Sequence, residues 1–155
     1  RISDALTLPA PVEQGIEVRT HREAFRAAAL LIDDDQDDRY FFATALEEVD
    51  QNVKLTTAGE GGEAFEKIKE KRPDLILLDL VMPGINGITF LRMIKRDKSL
   101  RDIPVIVYTS DLSIFEVHEV LDLGAEQVIL KANDFTGTLG NISKVLKKSH
   151  LRQSA

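Results

Sequence analysis

The sequence predicts an α/β domain, a (βα)5 chain folded into a doubly wound parallel sheet of five strands in the order 2-1-3-4-5. Three observations carry that expectation. Short, continuous apolar runs stop abruptly at polar residues, as strands buried on both faces of a parallel sheet do. Stretches of helical period alternate with them, and right-handed crossovers then build a doubly wound sheet. The 155 residues, 43% of them hydrophobic, fit one domain with an ordinary core and leave no room for a second full one.

The first strand is read at 28–32 (AALLI), halted by acids. A helix follows over 37–49, with Phe41, Phe42, Ala45, Leu46 and Val49 recurring at spacings of three and four on its buried face. The more polar run KLTTA at 54–58 is the second strand, and Ala64, Phe65 and Ile68 mark the helix over 61–71. LILL at 75–78 is the third strand, and the helix after Gly87 should bury Ile88, Leu91 and Ile94. PVIVY at 104–108 is the fourth. The helix from Ser113 to Leu123 opens on the capping box Ser113-x-x-Glu116 and stops before Gly124. VIL at 128–130 is the fifth strand. The last helix runs from about Asp134 to His150 with Phe135, Leu139, Ile142, Val145 and Leu146 on one face, its acid first and its lysines last as the helix dipole prefers. Residues 1–27, with Pro9 and Pro11 and a short helical stretch from Thr20, read as an extension or linker, and 151–155 as a tail.

Composition excludes several chemistries. Cysteine is absent, which removes disulfides, thiolate metal sites and cysteine nucleophiles together. No apolar run approaches the roughly 20 residues of a membrane span, and residues 1–27 lack the apolar core of a signal peptide, so the expected setting is soluble and cytoplasmic, away from the membrane. The net charge of −6 argues against DNA binding through bulk charge. Position says more than the total: residues 28–130 carry 11 basic and 21 acidic residues, and Asp33, Asp34, Asp35, Asp37 and Asp38 fall within six positions. Such a run is usually a solvated loop, but this one ends a buried strand.

In the predicted strand order the switch point lies between the first and third strands, and the functional crevice sits at their carboxyl ends. Asp33, Asp34 and Asp35 end the first strand, Asp79 follows the third, Thr109 and Ser110 end the fourth, and Lys131 ends the fifth. Each alone has a plain explanation as a cap, turn or surface residue. Together they converge. Packed carboxylates either hold protons or bind a cation. An oxygen-only donor set selects a hard ion such as Mg²⁺, which keeps several waters and takes a phosphoryl oxygen. A carboxylate beside Mg²⁺ can attack a phosphoryl group, so Asp79 is the candidate nucleophile, with Lys131 pairing the phosphoryl charge and Thr109 donating a hydrogen bond to it.

LLIDDDQDD, LILLDLVMPGINGI, VIVYTS and VILK resemble, in order and spacing, the four signatures of the bacterial response-regulator receiver domain, over about residues 28–150. The run from Asp79 through Met82-Pro83 to Gly87 is the most specific part. The resemblance implies the flavodoxin-like, CheY-like fold and a phosphorylation-dependent switch of a two-component system. It implies that Asp79 accepts phosphate from a sensor histidine kinase or phosphotransfer protein. It further implies that Asp34 is a direct Mg²⁺ ligand, Asp33 acts mostly through water, the carbonyl of Val81 is a further ligand, and Thr109 and Lys131 are the switch hydroxyl and the site lysine. No activity beyond self-phosphorylation and autodephosphorylation is expected, and output should go through a downstream protein. In the family the helix 4–strand 5–helix 5 face commonly serves for contact, and here Glu116, Glu119, Asp122 and Glu126 lie near a lysine-rich last helix, charges that could pair in a homodimer.

Three departures from the pattern stand out. Ala132 follows the lysine where the family commonly has a cis Pro, which leaves that loop either another geometry or a costlier cis bond. Val128 occupies the aromatic switch position, so an inward-turning ring cannot relay the signal. Gln36 replaces a frequent Pro, compatible with a helix start. A Mg²⁺-dependent phosphatase with an Asp nucleophile is the alternative enzyme, but its usual second Asp two residues on is Val81 here. A flavodoxin-like nucleotide or flavin binder would need a phosphate loop where five aspartates stand. The expected form is a single-domain receiver, with a receiver module from a larger hybrid kinase or a phosphorelay intermediate as the alternative.

Overall fold

The computed structural model describes residues 25–111 and 113–148, and the expectations for residues 1–24, for the end of the last helix at 149–150 and for the tail lie outside them. Five strands alternate with five helices: β1 (Ala27–Ile32), α1 (Gln36–Val49), β2 (Val53–Ala58), α2 (Gly61–Glu70), β3 (Leu75–Leu78), α3 (Gly87–Arg96), β4 (Val105–Thr109), α4 (Ile114–Leu123), β5 (Gln127–Leu130) and α5 (Phe135–Lys148). The strands form one sheet in the order β2-β1-β3-β4-β5 with every neighbouring pair parallel, as the sequence predicts. Observed boundaries fall within a residue or two of the expected ones. Pro104 lies just outside β4, where its missing N–H costs no ladder bond, and its carbonyl accepts from Ile76 at 2.9 Å.

The sheet separates two apolar layers because alternate strand residues face opposite ways. On one face Leu30, Ile32, Ile76, Leu78, Val105 and Val107 meet Ala64, Ile68, Phe90, Leu91 and Ile94 of α2 and α3 and Val120 of α4. On the other, Ala29, Leu31, Leu75, Leu77, Ile106, Tyr108 and Ile129 meet Phe42, Ala45 and Leu46 of α1 and Ile142, Val145 and Leu146 of α5. Fully burying each of the larger side chains contributes about 1.5–3 kcal/mol, so both layers are needed to hold the central strands. Two expected core residues lie outside: Phe41 is 55% exposed and Phe135 is 41% exposed. Phe41 and Phe42 are neighbours about 100° apart on α1, and only Phe42 points at the sheet, where it meets Tyr108 edge-on at 5.4 Å. Phe135 is the first residue of α5, ahead of the turns that pack. Phe90, which is not among the residues the sequence pattern singles out on that helix, is fully buried, with its ring centroid 4.7 Å from that of Phe65.

The helix signals have their expected physical form. Ser113 and Glu116 make the reciprocal capping box at the start of α4, and Gly124 ends it in the left-handed region (φ 118°). Gln36 opens α1 behind the N-cap Asp35.

Candidate functional site

The ladder carries each site residue one rung past its strand. Asp33 N–H donates to Ala58 O at 2.9 Å, Asp79 N–H to Ile32 O at 2.9 Å, and Lys131 N–H to Thr109 O at 2.8 Å. Side chains at the carboxyl ends of β1, β3, β4 and β5 are thereby fixed around one crevice by backbone bonds rather than by mobile loops. The third wall depends on Gly87. A Cβ there would lie 2.4 Å from Leu80 Cα and 2.5 Å from Asp79 O, so only glycine lets α3 begin against the backbone that carries Asp79. Gly87 N–H in turn donates to Leu80 O at 3.1 Å.

Asp33, Asp79 and Thr109 are buried. One carboxylate oxygen from each of Asp33, Asp34 and Asp79 lies within 4.8 Å of the others, with Asp34 exposed at the mouth. Thr109 Oγ1 donates to Asp79 Oδ1 at 3.0 Å, and the Val81 N–H donates to the same oxygen at 3.2 Å. Lys131 Nζ reaches Asp33 Oδ2 at 2.6 Å, Asp38 Oδ2 at 2.8 Å and Asp79 Oδ2 at 3.3 Å. The Asp35 N–H donates to Asp33 Oδ1 at 2.9 Å, and Arg39 Nη1 to Asp33 O at 2.6 Å.

Burial is the largest influence on Asp33: it outweighs the hydrogen bonds from Lys131 and the Asp35 amide and pushes the carboxyl up from 3.8 to about 6. Burial acts on Lys131 in the opposite sense to its partners, but hydrogen bonds to Asp33 and Asp38 and the charges of Asp33 and Asp79 prevail and hold the ammonium well above its usual range. At neutral pH the crevice therefore contains ionised Asp33 beside a firmly charged lysine.

The residues singled out in sequence are brought together, with two refinements. Asp35 is not part of the cluster: its side chain caps α1 by accepting from the Asp37 and Asp38 amides. Asp38, to which sequence reasoning gave no role, faces Lys131 from the first turn of α1. Its only sequence signal was membership of the acidic run, because a contact spanning 93 residues leaves no local pattern. Beside this pair a cavity of about 120 Å³ is lined by Phe41, Phe42, Tyr108, Ala132, Phe135 and Thr138 among others. No cis peptide occurs among the described residues, so the loop at Ala132 takes the other geometry that the sequence left open. Val128 is half-buried and packs on the α2–α3–α4 side of the core.

This fold, with an acidic cluster and a lysine at the switch point, defines a class: the CheY-like doubly wound α/β domains. The chain belongs to the response regulator receiver domain family, which it matches over residues 29–151, and is thus a signalling domain of the two-component kind. It is 30% identical over 109 residues to the DNA-binding response regulator MtrA of Mycobacterium bovis, covering 70% of this chain and 46% of that one. It is 31% identical over 119 residues to the response regulator ArlR of Staphylococcus saprophyticus, covering 77% and 52%. The chain thus spans about half the length of these relatives. The phosphorylated cyanobacterial phytochrome response regulator RcpA superposes with a TM-score of 0.72 at 26% identity, covering 78% of this chain and 91% of that one.

Proposed function

We propose that residues 28–150 form a receiver that Asp79 switches by accepting a phosphoryl group from a histidine kinase or phosphotransfer protein, with Mg²⁺ bound alongside. The observation that carries this reading is the pairing at Asp79: one oxygen takes hydrogen bonds from Thr109 and the Val81 amide while the other faces Lys131. A carboxylate so held is oriented for attack, and the same donors are placed for the phosphoryl oxygens that follow. The bond formed joins an Asp79 carboxylate oxygen to phosphorus, the bond broken joins phosphorus to the donor's histidine nitrogen, and that nitrogen takes up a proton.

Three clustered carboxylates with oxygen donors only fit a hard divalent ion that retains water. Asp33, Asp34, Asp79 and the Val81 carbonyl would hold it. When bound, Mg²⁺ neutralises charge on the phosphoryl oxygens. Thr109 follows the phosphoryl group once Asp79 is modified, and its strand-end position couples that movement to the start of α4. With Val128 in place of an aromatic ring, the relay runs through the β4–α4 connection, and a downstream protein reads the changed α4–β5–α5 face. Self-phosphorylation and autodephosphorylation are the only reactions proposed, in a cytoplasmic setting. A homodimer through that face is a further option, although Glu119 already lies 3.9 Å from Arg92 of its own chain.

Beryllofluoride with MgCl₂ tests the reading. Amide NMR signals around Asp79, Thr109 and Lys131 should shift in the wild type, and Asp79→Asn should abolish the shift. An unperturbed wild-type spectrum would reject the phosphoacceptor assignment.

A further inference from the structure

Lys131 spends its three ammonium protons on three carboxylates, at 2.6 Å to Asp33, 2.8 Å to Asp38 and 3.3 Å to Asp79. Two of those partners belong to the acidic cluster with Asp34. A cation held there competes with the ammonium for Asp33 and Asp79. The Lys131 side chain is only 10% exposed, so a lysine that lost both would be left with little water and, without Asp38, no counter-charge. Asp38 stands outside the cluster. It projects from the first turn of α1, where the helix dipole favours a carboxylate, and its side chain is 38% exposed.

We propose that Asp38 is a positioning residue for Lys131: it keeps the ammonium paired outside the metal cluster and so leaves Asp33 and Asp79 available to a divalent cation. The inference rests on the cation-binding reading above and adds to it a residue that touches neither the cation nor the phosphoryl group. Asp38 acts only through Lys131. Removing its charge leaves the ammonium dependent on the two carboxylates that the cation needs, and metal binding must then displace it at greater cost.

The test is a MgCl₂ titration of the full chain, followed by amide NMR shifts, on wild type, Asp38→Asn and Asp37→Asn. Asp37 lies in the same helical turn, is exposed and loses the same charge, so it measures the through-space effect alone. Asp38→Asn should weaken Mg²⁺ binding by roughly tenfold, the scale of a lost supporting partner. Asp37→Asn should change it by less than about twofold, since an exposed charge is screened. In a Lys131→Met background the Asp38→Asn effect should shrink to that of Asp37→Asn. Equal losses for Asp37→Asn and Asp38→Asn, or an undiminished Asp38→Asn loss without Lys131, would overturn the positioning role. Should Lys131→Met fail to give a folded spectrum, the comparison of the two aspartate variants decides by itself. A wild type that binds no Mg²⁺ would overturn the metal site and this role together, an outcome distinguishable from failure of the role alone.

Discussion

Asp33 shows how one buried carboxyl links pH to stability and, on the proposed cation-binding reading, to metal affinity. Its folded value of about 6 exceeds the ordinary 3.8, because burial outweighs its hydrogen bonds. The fold therefore binds this proton more tightly than the unfolded chain does. The stability that the neutral carboxyl contributes is fully present below about 3.8 and is lost as pH rises through about 6. A cation needs the ionised form, so Mg²⁺ affinity should rise with pH up to about 6 and then level off. Titrations at pH 5 and 7.5 should differ in Kd by roughly tenfold, the fraction ionised at the lower pH setting the ratio. A pH-independent Kd over that range would show that Asp33 is not the controlling carboxyl. At this scale the sequence displayed the candidate site residues but not the different places they take in the fold. Asp33, Asp34, Asp35 and Asp38 sit in one run, and only tertiary structure separates buried Asp33, exposed Asp34, the N-cap Asp35 and the lysine partner Asp38.

Among the elements, strands were the most legible, because runs such as LILL are buried on both faces and need no alternation to be seen. Helix faces were less so. Counting apolar residues at three- and four-residue spacings included Phe41 and Phe135 in the core, since periodicity cannot tell the end or flank of a helix from its packed stripe. Glycines in helices likewise look alike in sequence, although the structure gives them opposite roles. Gly87→Ala would drive a methyl group into Leu80 Cα and Asp79 O, and should cost on the order of 2–3 kcal/mol while disturbing Asp79. Gly140, within α5, has nothing within 4 Å of its Cβ direction, and Gly140→Ala should stabilise by about 0.5–1 kcal/mol. Urea unfolding of the two variants checks the signs. A further measure is Ser113→Ala, which removes one half of the capping box on α4 and should cost about 1 kcal/mol. The same curves would refute the close-approach argument if Gly87→Ala proved as mild as Ser113→Ala.

For the molecule as a whole, parallel topology puts every site residue at one end of the sheet. β1 begins at Ala27 and delivers Asp33 past its far end, six residues away. At about 3.3 Å per residue, roughly 20 Å of strand separates the crevice from the point where residues 1–24 join. The crevice is walled by β1, β3, β4, β5 and the first turn of α1, all within residues 27–131. A chain beginning at Phe25 should therefore bind Mg²⁺ with the wild-type Kd and give the same beryllofluoride-induced shifts near Asp79, even if its thermal midpoint changes. Stability and site function are separable here because stability is set by both layers of the core, whereas the site depends on the ladder rungs at the carboxyl edge. A truncated chain that folds, by its amide spectrum, but loses more than about threefold in Mg²⁺ affinity would show that residues 1–24 contribute to the crevice, a difference of roughly 0.6 kcal/mol. The site would then extend beyond the residues whose strand-end positions the sequence reveals.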